Sequence, residues 1–230
     1  MDPMSGQSGV AALRAGPERP EVYLQLEPGQ SCILRTFSDR DVTASAWPAW
    51  KRAGQPTPIA GTWQVTFLDG GPDLPAPFET ETLDSWTTLG GDEAQRFAGT
   101  ARYAIAFDVP ASGADAWRLE LGRVAESARV RLNGQDLGVL FAPPFHVQLP
   151  ERLLEATGNT LEVEVTNLAA NRIRDLDRRG VEWKRFHNIN FVNSGYKEFD
   201  ASEWPVRDSG LLGPVRLAPL SRIEVIGKRG

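Results

Sequence analysis

The chain has 230 residues, long enough for one large domain, and its 22 glycines and 17 prolines favour a turn-rich β protein over a helical bundle. A formal net charge of −5 provides no global basic field, so nucleic acid is not expected as a partner. Cys32 is the only cysteine, which excludes an internal disulfide framework and a thiolate zinc cluster, and no run nears the ~18 apolar residues of a membrane span.

The opening MDPMSGQSGV has neither a basic stretch nor an apolar one, so no secretion signal and no membrane partner are expected. Residues 1–20 show no sustained period and read as a disordered leader. Val22 to Leu26 alternates apolar and polar residues, EPGQ supplies turn chemistry and Ser31 to Phe37 alternates again, which predicts a hairpin with Cys32 as a small buried hydrophobe. AWPAWKRAGQPTPIAG follows with no strand or helix period. It reads as a linker packed by Trp47 and Trp50, with a boundary near residue 57.

From Gly61 a period of two recurs at short intervals. Trp63, Val65 and Phe67 share one face, as do Tyr103, Ile105, Phe107 and Val109, and then Trp117, Leu119 and Leu121. Asn133-Gly134 sits between Val130/Leu132 and Leu137/Val139, and this dipeptide tolerates the positive φ angles of a type I′ hairpin turn. FHVQL, TLEVEV, PVRLAPL and RIEVI continue the pattern, and no amphipathic helix rivals these strands. The fold class predicted is all-β, a sandwich or barrel, with alternation favouring two sheets that each keep one wet face.

Asn167 to Leu212 breaks the pattern. At about 45 residues it far exceeds a usual connection of about 4 to 6, and its Trp183, Phe186, Phe191, Tyr196, Phe199 and Trp204 argue for order. Trp183, Tyr196 and Trp204 lie among Asn190, Asn193 and Asp200, with Asn171 and Arg179 nearby in sequence. Aromatic faces cover the C–H side of a pyranose while planar polar groups hydrogen-bond vicinal hydroxyls, so these six residues are the candidate ligand site. The competing reading is that the rings bury a long loop and the polar residues cap its turns.

Within NRIRDLDRRGVEWKR, the carboxylates Asp175, Asp177 and Glu182 can satisfy Arg172, Arg174, Arg178 and Arg179, which favours a structural ion-pair network over a phosphate grip. Asp175 and Asp177 lack the further ligands of a calcium loop. Neither a metal nor a cofactor is expected, and His146 and His187 read as core or turn histidines. Glu182, Glu198, Asp200 and Glu203 could form a hydrolytic carboxylate pair only by virtue of sharing this segment. No nucleophile elbow, Walker loop or zinc-protease motif is present.

LGRVAESARVRLNGQDLGVLFAPPF and FAGTARYAIAFDVP resemble the sugar-binding jelly-roll module of glycoside hydrolases, related to that of family 2. More specifically SWTTL, FAGTARY, the NG hairpin and the stretch from NLAANRIRDLDRRGVEWKRF to FDASEWPVRDSGLLGPVRL look like the C-terminal region of bacterial α-L-rhamnosidases of glycoside hydrolase family 106. The resemblance spans roughly residues 20 to 220. It implies a galactose-binding-like β-sandwich over residues 58–221, preceded at 21–57 by a hairpin and linker left from an upstream sandwich and followed by a tail at 222–230. Such enzymes place their catalytic carboxylates in a separate β/α-barrel, and nothing in this chain matches a barrel of ~250 residues, so no catalytic residue is carried over. The implied role is an accessory module that binds carbohydrate, a rhamnose-containing glycan, or supports a catalytic barrel domain. A complete small hydrolase and a protein-interaction module are the alternatives.

Overall fold

A computed structural model describes residues 1–16, 18–150, 152–184 and 197–224. The first strands form a small antiparallel pair, β1 (Leu13–Ala15) against β2 (Pro20–Val22). They stand where a disordered leader is expected, and the hairpin predicted at 22–26 and 31–37 is absent. Tyr23 to Phe37 carries no strand, and Leu24, Leu26, Ile33 and Leu34 remain exposed, because no neighbouring strand offers the face that alternation needs. Cys32 is half-buried within this irregular stretch.

The expected linker supplies sheet edges instead. β3 (Trp50–Arg52) and β4 (Thr57–Pro58) both end up paired antiparallel with a strand from the far end of the chain. Next come β5 (Trp63–Gly71), β6 (Phe78–Thr80), the short helices α1 (Trp86–Leu89) and α2 (Gly91–Arg96), and the long β7 (Ala98–Phe107). β8 (Ala116–Glu120), β9 (Arg123–Ala125), β10 (Ser127–Leu132), β11 (Gln135–Leu140), β12 (His146–Gln148) and β13 (Asn159–Thr166) follow. Helix α3 (Ala170–Arg178), β14 (Gly210–Gly213) and β15 (Arg216–Arg222) complete the described elements. Of RIEVI only Arg222 is in a strand; Val225 and Ile226 lie outside the described residues.

Two antiparallel sheets face each other. One has the order β11-β10-β13-β7-β5-β6; the other runs β12-β8-β15-β3, with β4 also on β15. The fold is the all-β sandwich that alternation predicts. Trp63, Val65 and Phe67 of β5, Tyr103 and Ile105 of β7, and Leu161, Val163 and Val165 of β13 point inward, packing in one apolar cluster with Leu119, Leu121 and Leu217. Polar neighbours on the same strands line the outer face, where Arg131–Glu164 and Arg102–Glu162 pair across strands. At the β10–β11 turn Asn133 has φ 51° and Gly134 φ 78°, as the type I′ expectation requires.

The short helices explain two of the resemblance motifs. Ser85 caps α1 by accepting from the Thr87 N–H at 3.2 Å, and its hydroxyl also accepts from the Ser209 N–H at 3.0 Å. The Trp86 N–H donates to the Ser209 carbonyl at 3.0 Å, so SWTTL and the DSG of the C-terminal stretch form one hydrogen-bonded joint. Trp86, Phe97 and Phe67 pack edge to face beneath it.

Candidate functional site

The segment between β13 and β14 is rooted by amides. Asn167 accepts from the Gly99 N–H at 2.9 Å and donates to the Phe97 carbonyl and the Ser209 hydroxyl, each at 3.0 Å. Asn171, buried on α3, accepts from the Arg207 N–H at 2.8 Å and donates to the Arg207 carbonyl at 2.7 Å, as a neighbouring strand would. Both side chains satisfy backbone that would otherwise be buried without partners.

α3 is held by Asp175, which pairs with Arg172 at 3.0 Å and Arg179 at 2.7 Å, the i,i+3 and i,i+4 positions of a helix. It ends where the Gly180 N–H bonds to the Asp177 carbonyl and the Val181 N–H to that of Leu176, a Schellman termination. The ion-pair network is narrower than expected. Arg174 donates instead to the Trp204 carbonyl at 2.6 Å, and Asp177 takes different partners.

Asp177 is the hub of the site. Its side chain is 7% exposed; it accepts from the Trp183 indole N–H at 2.6 Å and the Ala201 N–H at 2.7 Å, with the Lys184 ammonium 3.7 Å away. The rings of Trp183 and Phe199 meet edge to face at 6.1 Å, and those of Phe199 and Trp204 at 5.5 Å. Lys184 donates to the Phe199 carbonyl and lies over the Trp183 and Phe199 rings, 5.8 and 5.5 Å from their centroids.

Of the candidate residues, the fold brings both Trp183 and Trp204 into edge-to-face contact with Phe199. Asp200 lies beside them but accepts from the Ser202 N–H at 2.8 Å, and hydrogen bonds from Ser202 hold its carboxyl below the usual range. Asn190, Asn193 and Tyr196 lie outside the described residues. Phe199 enters the sequence pattern only as an ordering ring, and Lys184 and the hub role of Asp177 have no signal there beyond the spacing of Asp177, six residues before an indole donor. Trp204 is 37% exposed, so the cluster sits at the surface and not between the sheets. Among the described residues no group of His, Cys, Asp or Glu side chains is placed to hold a metal, and no helix is long and apolar enough to cross a membrane.

Known proteins resemble this chain. A protein of Formosa agariphila bearing the name "Putative beta-glucuronidase" is 32% identical over 190 residues, covering 73% of this chain and 16% of its own length. The solved rhamnosidase from Novosphingobium sp. PP1Y aligns over 90% of this chain with 26% identity and a TM-score of 0.62, and the match takes up 19% of the enzyme. The β-glucuronidase of Bifidobacterium dentium aligns over 73% of this chain and 30% of its own, at 19% identity and a TM-score of 0.49. No protein-family model matches. The chain spans less than a fifth of the first two relatives and is related to an accessory β-sandwich of glycoside hydrolases.

Proposed function

We propose that this domain supports the catalytic barrel of a rhamnosidase-type glycoside hydrolase, with the face around α3 and residues 199–209 as the docking surface and no catalytic group of its own. The observation that supports this reading is the state of the polar groups in that face. Asp177, Asn171 and Asn167 spend their oxygens and amides on the chain itself, while Trp204 and Val181 remain exposed. A sugar platform needs unspent planar groups beside a free ring; exposed Trp204 and Val181, rimmed by charged residues over a frame whose described amides and Asp177 are spent, suit contact with another domain. The likeness to the Novosphingobium rhamnosidase supports the enzyme type.

The test is a fusion in which a rhamnosidase-type barrel is joined to this chain. Trp204→Asp should lower the melting temperature of the barrel in the fusion by more than the loss of the Phe199 contact lowers that of the isolated chain. An unaltered barrel transition would refute docking through this face. Saturable binding of a rhamnoside that disappears in Trp204→Ala would establish a sugar platform in its place.

A further inference from the structure

The one Asn-Gly pair of the chain, Asn133-Gly134, is exposed to solvent at the tip of the β10–β11 hairpin. A Cβ on Gly134 would meet nothing within 4 Å, and with glycine in this place no side chain shields the peptide nitrogen that follows Asn133. The Asn133 carboxamide, by contrast, is fastened through both of its polar atoms. Its Oδ1 accepts from the Thr160 N–H at 2.9 Å, and its Nδ2 donates to the Leu153 carbonyl at 2.8 Å and to Oδ1 of Asn159 at 2.9 Å. Asn159 is fully buried; it also accepts from the Glu155 N–H at 2.9 Å and donates to the Glu155 carbonyl at 2.7 Å. The backbone of Asn133 thus makes the turn, while its amide clasps the loop before β13, and the start of β13 itself, to the hairpin.

We propose that Asn133 is a modification site gated by this clasp: closed, the clasp keeps the amide unreactive, and open, it lets the amide convert to an aspartyl or isoaspartyl residue that cannot clasp again. The chemistry consumes only water. The Gly134 nitrogen gives its proton to a solvent base and attacks Cγ of Asn133; the new C–N bond closes a succinimide ring, and Nδ2 takes up a proton and leaves as ammonia. Water then adds to one of the two ring carbonyls. Cleavage of the bond from Cγ to the ring nitrogen restores the main chain with an aspartyl residue, and cleavage at the α-carbonyl leaves the chain running through Cγ as isoaspartyl.

Burial does not protect the pair, since both residues are exposed. Protection comes from the amide bonds. Nδ2 is the leaving group, so its bonds to Leu153 and Asn159 must break before ammonia can depart, and the bond from Thr160 holds Oδ1 on β13. The change is one-way because the product has no donor. Its carboxylate would face two acceptors, the Leu153 carbonyl and Asn159 Oδ1, and rotating the Asn159 amide to offer a donor would break both of its bonds to Glu155. No residue of the clasp belongs to the α3 face, so the inference stands apart from the docking role.

The experiment follows Asn133 by peptide mapping and mass spectrometry in the full chain, kept at mildly alkaline pH in water enriched in heavy oxygen, which labels each ring opening. Conversion in the folded chain should be about 100-fold slower than in denaturing urea, the factor expected where two hydrogen bonds must open first. Asn159→Ala removes one acceptor of the clasp and should raise the folded-state rate about tenfold. Because that variant also loses a buried amide, the parent supplies a second measurement: in urea below the unfolding transition, conversion of Asn133 and hydrogen exchange of the Thr160 N–H should rise in parallel. Asn133→Asp reproduces the aspartyl product and should melt below the parent. The proposal is overturned if the folded chain converts as fast as the unfolded one, if the unfolded chain does not convert, if conversion fails to follow Thr160 exchange, or if Asn133→Asp melts like the parent.

Discussion

Two buried aromatic groups depend on a residue with no side chain. Gly210 has φ +103°, and a Cβ there would lie 2.2 Å from the Tyr103 hydroxyl and 2.8 Å from the Trp86 ring. Both rings are fully buried, and the Trp86 indole nitrogen has no hydrogen-bond partner among the described residues. Burial raises the Tyr103 pKa well above its usual value, so the phenol stays neutral. Gly210→Ala combines backbone strain with overpacking and should cost about 2 to 4 kcal/mol, read from urea denaturation. A loss below ~1 kcal/mol would mean that the rings yield. His146 gives a second effect at this scale. Burial foremost, then the Arg118 and Arg52 charges, lower its pKa, while Glu27 and Glu120 pull the other way. Between the lowered value and about 6.5 the unfolded chain binds the extra proton, so stability is complete above about pH 6.5 and declines as the pH falls through that window. The urea midpoint should therefore drop between about pH 7.5 and 5.5, and His146→Gln should flatten the drop; equal slopes would contradict it.

The β10–β11 hairpin shows a different use of glycine at the scale of elements. A Cβ on Gly134 would meet nothing within 4 Å, so the cost of Gly134→Val is confined to its φ of +78° and should be ~1 kcal/mol, seen as a lower melting midpoint. An unchanged midpoint would show that the turn tolerates a β-branched residue. Such a hairpin is legible because turn and flanking strands are neighbours in sequence. The strands of β5, β7, β8 and β13 are legible for a related reason: one face of each is buried against the opposite sheet, so their apolar residues alternate. β3 and β4 escape this logic. They are edge segments of two or three residues, defined by bonds to β15 and too short to carry a period. The helix α3 is hidden because it is only nine residues long, with Ile173 and Leu176 as its two large apolar positions and its polar residues committed to ion pairs and to the Asn171 and Asp177 bonds, too short a stretch for the period to stand out. The Glu27 stretch misleads in the opposite sense. Its alternation suggests a strand, yet it is fixed by side-chain bonds to Trp50 and Arg118 that only the tertiary fold creates.

For the whole molecule, function is legible mainly as a relationship. The glycoside hydrolase relation rests on the likeness to known proteins, and the structure adds that the motifs SWTTL and DSG meet at one joint, Ser85 on Ser209, which ties α1 to the root of the α3 segment. The groups around His146 carry no such signature, since they come from four stretches far apart in sequence, at residues 27, 52, 118–123 and 143–146. The position of β15 bears on how the chain is made. It lies between β8 and β3 and also holds β4, whereas every strand of the six-stranded sheet precedes residue 167. A ribosome therefore releases one complete sheet before it has made the strand that joins the members of the other. Until Arg216–Arg222 emerges, the inner faces of β5, β7 and β13 lack much of their cover, and the growing chain displays apolar surface of the kind that chaperones bind. Chains ended at Gly213 should keep β-structure by circular dichroism yet bind a hydrophobic dye and lose cooperative melting, and chains ended at Glu224 should melt cooperatively. Equal cooperativity in the two would show that β8 and β3 find each other without β15, leaving the order of synthesis without influence on closure of the sandwich.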